Sequence, residues 1–271
     1  MLMSIQSLKQ SLAGSIGVAA MCCAMTSSSW ATGLGWVPTE WEAGGMVLTA
    51  PTYEGSRKQR VIGVPLLFPS GTEGGGRVQF KGPEDVRFKL LSLYGFQVGP
   101  VAGWRFGREE DDGVRLRGLG DVDGGLVLGA YAAYSAGVLT AYASYGHQAT
   151  GDETGGQLRF GLEAQALNTR SLTVTALVGA TWADDDYMGA FFGVTPGQSV
   201  RSGLAAYRAE AGIKDVHVGF SATMPLADRW SLRLMGRYSH LVGDVADSPV
   251  VEREGQWSGG LGLTYRFSIG R

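Results

Sequence analysis

The sequence predicts a transmembrane antiparallel β-barrel of about twelve strands behind a cleaved N-terminal signal peptide, and three observations point there. From Trp41 onward the dominant hydrophobic period is two, with apolar residues on one face and charged or small residues on the other. Short and long connections alternate along the chain, as periplasmic turns alternate with outer loops. Aromatic residues sit toward the ends of the apolar faces, where membrane interfaces lie. A soluble β-sandwich alternates too, but its polar face carries mixed surface charge and its aromatics cluster centrally.

Residues 1–31 read as the signal. Lys9 supplies a positive charge, Ser11 to Met25 is an uncharged apolar run, and Ser29-x-Ala31 offers the small residues a signal peptidase reads. The run is shorter than the ~20 residues a spanning helix needs. Cys22 and Cys23 raise the rival of a lipoprotein signal, yet Met21 and Cys22 stand where a small residue is required. Both cysteines of the chain leave with the signal, so the exported protein holds no disulfide. No other apolar run approaches the length of a spanning helix, so membrane passage falls to strands.

Residues 32–271 then form the barrel. Strands are expected near 41–50, 57–68, 75–81, 86–92, 94–107, 121–134, 137–147, 156–167, 171–183, 212–226, 229–241 and 256–267. An even number places both termini in the periplasm. Within 157–167, Leu158, Phe160 and Leu162 oppose Arg159, Glu163 and Gln165. Trp230, Leu232 and Leu234 oppose Ser231, Arg233 and Arg237; Leu261, Leu263, Tyr265 and Phe267 oppose Gly262, Thr264 and Arg266. Tyr94, Phe96, Val98 and Trp104 likewise oppose Gln97, Gly99 and Arg105. Short turns fall at Pro69-Ser-Gly, Ser92-Leu-Tyr, Tyr134-Ser-Ala-Gly, Asn168-Thr-Arg and Ala227-Asp228.

Glycine, 43 of 271 residues, is more than twice its ordinary ~7%. It recurs inside the apolar runs, which suits closely approaching strands. A net charge of −2 argues against a nucleic-acid partner, which needs a basic face.

Several stretches are specific enough to name a family. GLGDVDGG (118–125), the long 181–207 segment, GIKDV (212–216), GDVADSPVV (243–251) and GLGLTYRF (260–267) resemble the MipA/OmpV family, and PTYEGS (51–56) and WRFGREEDD (104–112) fit it as well. The resemblance implies a barrel in the outer membrane of a Gram-negative bacterium, surrounded by its lipid. It also implies a scaffold of the MltA-interacting type, linking a lytic transglycosylase to a murein synthase. Other members are outer-membrane proteins or adhesins. Gly262, Tyr265 and Phe267 resemble the signal read by the barrel-assembly machinery, although Ser268 to Arg271 follow the final aromatic.

Chemistry is weighed on few residues. Ser144, His147 and Asp184–Asp186 supply the ingredients of a nucleophile, base and orienter at the outer rim. There is no Gly-x-Ser-x-Gly, and His147 and His240 fall on the lipid-facing parity, so a non-catalytic protein is expected. His217 has lumen parity and no second His or Cys at ligand spacing, and no metal or cofactor is expected. Glu109–Asp112 and Asp184–Asp186 lack the order of a calcium loop. Lumenal charge is expected from Arg105, Asp121, Asp123, Arg159, Glu163, Arg233, Arg237 and Arg266. Paired, such charges plug a barrel; unpaired, they line a selective pore, leaving a small-solute channel or an adhesin as the alternative function.

The segment from Thr181 to Tyr207, TWADDDYMGAFFGVTPGQSVRSGLAAY, has no strand period and is too apolar for a free loop. Tyr187, Phe191, Phe192 and Leu204 would form an exposed patch unless the segment folds into the barrel mouth. Thr195-Pro-Gly-Gln supplies a tight reversal in this reading. Asp184, Asp185 and Asp186 are expected to pair with Arg201, Arg208 or lumenal arginines, and Tyr207 closes the segment.

Overall fold

The computed structural model describes residues 40–69, 78–152 and 154–268. The signal stretch, the Pro69-Ser-Gly turn beyond Pro69 and the final three residues lie outside them. Thirteen strands form one antiparallel sheet. They are β1 Glu40–Pro51, β2 Gln59–Pro69, β3 Val78–Gly82, β4 Asp85–Phe88, β5 Leu91–Leu93 and β6 Phe96–Arg105, followed by β7 Gly125–Ala136, β8 Leu139–Gln148, β9 Gly156–Asn168, β10 Thr173–Ala183, β11 Gly212–Pro225, β12 Trp230–Leu241 and β13 Gly255–Ser268. The first strand pairs with the last, Gly44 opposite Thr264, and the order runs round to β3. Between β2 and β3 no pairing joins the described residues, so the barrel is nearly closed.

β4 and β5 both pair with β6 and act as one interrupted stave, so the barrel has the twelve staves its sequence implies. The single strand expected over 86–92 is thus two, and the one expected over 75–81 is β3. The break has a steric cause. The backbone of Phe88–Leu90 occupies the space that a Cβ at Gly99 would take, so the edge leans over the inner face of β6. Pro83 and Glu84 do the same over Gly103, which carries Glu84 inside the barrel.

Two other boundaries differ from expectation. β6 begins at Phe96 because Tyr94, at φ +48°, and Gly95, at φ +86°, form the two-residue turn that matches strand twist. β7 begins at Gly125 rather than 121, because Val122 is bridged to Arg108 and the Asp123 amide donates to Asp152.

Burial is inverted relative to a soluble protein. Val61 is 73% and Leu261 54% exposed on the outside, whereas Arg105 and Ser144 are 1% exposed inside. No described helix is long and apolar enough to cross a membrane; the strands present the apolar belt. Phe96 and Tyr134 (centroids 4.5 Å apart) and Trp230 and Tyr265 (5.1 Å) mark one rim; Tyr238 and Trp257 (4.8 Å) mark the other. Among the described residues the long connections lie at the second rim, opposite β1's start and β13's end, which is the outer side in such barrels.

Ion pairs tie staves together across the interior. Lys81 on β3 meets Glu163 on β9 at 2.7 Å. Near the terminal rim, Arg233 on β12 meets Glu42 on β1 at 2.7 Å, with Arg266 at 3.8 Å. Midway, Arg87 forms a two-bonded pair with Asp85, stacks on Tyr142 and lies over Tyr131. An ionised pair in a barrel needs such hydrogen bonds to offset desolvation.

Candidate functional site: the outer vestibule and its cap

Helix α1, Asp185–Phe192, follows β10 directly. Asp184 is its N-cap: one carboxylate oxygen accepts from the Tyr187 amide at 3.0 Å and the other from the Gly156 amide at 2.6 Å. The helix puts Tyr187, Met188, Phe191 and Phe192 on one face, since positions four apart align. All are buried with Ala183, Ala209, Leu241 and Val245. The Tyr187 ring stacks on Phe191 (4.6 Å), and its hydroxyl donates to Glu54 at 2.9 Å.

Helix α2, Pro196–Ser202, follows after Val194, which bridges to Tyr207. Thr195 and Gln198 form a capping box, and Gly203 ends the helix in the left-handed conformation. Thr195-Pro-Gly-Gln is therefore a helix start, not the tight reversal expected: proline at the first helical turn and a threonine cap favour helix entry. Helix α3, Asp244–Asp247, sits in the following loop, and the Asp244 carbonyl accepts from the Tyr207 hydroxyl at 2.8 Å. A second cluster, Tyr53, Leu116, Leu119, Val194 and Val250, locks four outer loops together. Burial, helped by the Glu252 charge, pushes the Tyr53 phenol up to about 12. Burial also holds the Tyr187 phenol well above its ordinary range, with the Glu54 carboxylate acting in the same direction.

Beneath α1 lies a cavity of about 340 Å³. Arg105, at the end of β6, donates to Glu84 (3.2 Å) and to the Thr154 and Gly155 carbonyls (both 3.0 Å), with its guanidinium 4.8 Å from the Tyr187 ring centroid. Arg159 reaches Glu84 at 2.7 Å. A bulge in β11 leaves Lys214 without a cross-strand partner residue, since Thr181 faces Asp215 and Trp182 faces Ile213. Lys214 and Asp215 consequently both point inward and are buried. Lys214 bonds Glu54 and lies 3.4 Å from Asp215, which also accepts from His217 Nδ1 at 2.8 Å and meets Arg237 at 3.5 Å.

The remaining sequence candidates sit elsewhere. Asp121 and Asp123 are exposed in the loop before β7, not on the lumen face: Asp121 accepts from the Glu110 amide, and the chain has not yet entered the sheet. Asp184, Asp185 and Asp186 form no ion pair with Arg201 or Arg208 among the described residues. Asp184 accepts from the Tyr187 amide, a donor the helix start leaves open, and Asp185 from the Ala211 amide just before β11. Arg201 donates instead to the Gly118 carbonyl at 3.1 Å, and Arg208 lies 4.0 Å from Glu210. Ser144 points inward and donates to Asp85 at 3.0 Å, while His147 points outward, so strand parity separates nucleophile from base. His240 is also outside, 3.5 Å from Glu254. On β13, Gly262 and Tyr265 pair with Met46 and Ala43, and Phe267 with Trp41. No group of three or more His, Cys, Asp or Glu side chains suited to a metal gathers among the described residues.

Sequence reasoning missed Glu42, Glu54, Arg60, Glu84, Asp85, Arg87, Arg108 and Lys214. Arg60 had the signal, being in phase with the inward residues of its strand. Lys214 had none, because the bulge reverses its parity.

Comparison with known proteins places these features in a family context. Residues 43–267 match the family described as MltA-interacting protein MipA. The MltA-interacting protein of Escherichia coli K12 is 33% identical over 98 residues, covering 35% of this chain and 38% of that protein. Outer membrane protein OmpV of Vibrio cholerae is 30% identical over 89 residues, 33% of this chain and 34% of the other. The putative outer membrane protein YiaT of E. coli K12 is 28% identical over 96 residues, 35% and 39%. The chain thus spans little more than a third of the length of each of these relatives. Among solved structures, Pseudomonas putida OprB matches with a TM-score of 0.38 and 12% identity, covering 76% of this chain and 55% of that one.

Proposed function

The chain belongs to the MltA-interacting protein (MipA) family of outer-membrane β-barrels, and from that premise we propose that it is a non-catalytic docking scaffold for murein-processing enzymes. The partners are a lytic transglycosylase and a murein synthase, as the family resemblance implies, and they engage the periplasmic rim. The observation that carries this reading is the occupied interior. Ion pairs cross the interior from β3 and the β3–β4 turn to β9, another joins β12 to β1 over the inner face of β13, and Ser144 and His147 lie on opposite sides of the wall. This supports a barrel that acts through its surfaces. The periplasmic turn tips favour docking further, being apolar where turns are usually polar: Tyr94, Val138 and Leu226 are all exposed. In the same reading the 184–207 cap constricts the outer mouth, the lumenal charges plug the barrel, and Gly262, Tyr265 and Phe267 are presented to the assembly machinery.

Two measurements test it. Immobilised barrel should capture a purified lytic transglycosylase, and Val138→Asp with Leu226→Asp should abolish capture while the unheated gel shift of a folded barrel persists. Planar-bilayer recordings should show little conductance until residues 189–203 are deleted. Steady ion-selective steps from the intact protein, without capture, would replace the scaffold with the channel.

A further inference from the structure

Six cations line the 340 Å³ cavity, Arg60, Arg105, Arg108, Arg159, Arg237 and Lys214, against three carboxylates, Glu54, Glu84 and Asp215. The carboxylates are already engaged. Glu84 takes Arg105 and Arg159, Asp215 takes Lys214, His217 and Arg237, and Glu54 takes Lys214 and the Tyr187 hydroxyl. Three positive charges remain uncompensated within the lining.

Hydrogen bonding is unbalanced in the same direction. Arg60 Nε, Arg105 Nη2, Arg108 Nε and Gln157 Nε2 are buried donors without a partner among the described residues, and all four residues line this cavity. Arg105, Gln157 and Arg108 are 1%, 2% and 3% exposed, so solvent at the surface does not serve them. Leaving a buried donor unsatisfied costs about 1–3 kcal/mol, and more for a charged group. Packing could have removed these side chains; instead three staves and a loop aim them at one space. Acceptors with negative charge satisfy both imbalances at once.

We infer that this vestibule binds a small phosphorylated solute, a phosphate monoester dianion carrying a compact organic body. Guanidinium forks match phosphate oxygens in geometry as well as charge. A bare ion underfills the space, which lies within the ~300–1,000 Å³ of small-molecule sites. Tyr53, Tyr187 and Phe191 supply the apolar wall that an organic body contacts. The outer loops surround the cavity, so the solute enters from the extracellular side. The inference rests on the vestibule alone and is independent of what docks at the periplasmic rim.

The test is equilibrium dialysis of labelled glucose 6-phosphate against the full barrel refolded into phosphatidylcholine vesicles free of lipopolysaccharide. Saturable one-to-one uptake is expected, with no uptake of glucose and with competition by inorganic phosphate. Arg60→Gln, at a partly exposed strand end, and Gln157→Met should each raise Kd about tenfold, the loss of one hydrogen bond to a charged group. Both should keep the unheated gel migration of the folded barrel. Absence of saturable uptake, or unchanged Kd in both folded variants, overturns the proposal. So does saturation by added lipopolysaccharide that displaces the sugar phosphate, since the phosphate recognised would then be a lipid's.

Discussion

Replacing Phe192 by alanine should open the cap without unfolding the barrel. Phe192 is fully buried, packed between α1 and the Leu241–Val245 corner, and its carbonyl accepts from Ser248 at 2.6 Å. Truncating a buried phenylalanine costs about 3–5 kcal/mol. The strand ladders make no use of this side chain, and the other anchors of α1 are likewise outside them: the Asp184 cap, worth about 1 kcal/mol, the Tyr187–Glu54 bond, the Arg108 bond to the Phe191 carbonyl, the Ala211 bond to Asp185, and the burial of Met188 and Phe191. The loss therefore falls on a local equilibrium and raises the open fraction by roughly two to three and a half orders of magnitude. Amide hydrogen exchange read by mass spectrometry should show faster exchange over 185–204 by that factor, with tryptic cleavage at Arg201 and Arg208. Exchange in β10 and β11 and the unheated gel migration should not change. Loss of strand protection together with the cap would refute this reasoning, because cap and barrel would then be one cooperative unit.

Three further outcomes are expected. Arg233→Met removes the 2.7 Å partner of the Glu42 carboxylate, 3% exposed, while Arg266 and the Thr264 hydroxyl stay beside it; stability to urea should fall by about 1.5–3 kcal/mol, the worth of a hydrogen bond to a charged group, and adding Glu42→Gln should restore most of it. Gly55→Ala strains a position at φ +96° beside Val251, at a cost of roughly 1–2 kcal/mol. The Glu252 and Arg253 amides, which donate to the Gly55 carbonyl, should then exchange faster while α1 stays protected. Glu110 accepts from the Gly120 and Gly118 amides, which hold its carboxyl below the ordinary 4.5. A folded-state value below the unfolded one means the contribution is complete above 4.5 and is lost as the pH falls through the lowered value. The Gly120 amide should lose protection as the pH falls below 4.5, and Glu110→Gln should remove that pH dependence.

Legibility followed the range of the interaction. Strand phase is local: a lipid-facing Leu162 beside an inward Glu163 states the wall's two sides within two residues, so barrel, stave number and membrane belt could be read directly. The cap was legible as a problem, an apolar segment without strand period, but not as two helices, since eight residues of DDYMGAFF form a stable helix only against Leu241, Ala209 and Val245. Asp121 and Asp123 were placed in the lumen by extending phase past the strand's true end, where loop hydrogen bonds claim the backbone.

By itself, then, the sequence determined the face each strand residue takes and the class of membrane protein this is, because pleating alternates side chains irrespective of what lies across the barrel. Only the tertiary structure decided which charges meet. Glu84 enters the vestibule because glycines at 99 and 103 let a hairpin lean inward, and Lys214 enters because a bulge adds one residue to β11. Both depend on contacts between segments distant along the chain, and on a closure that no local period encodes.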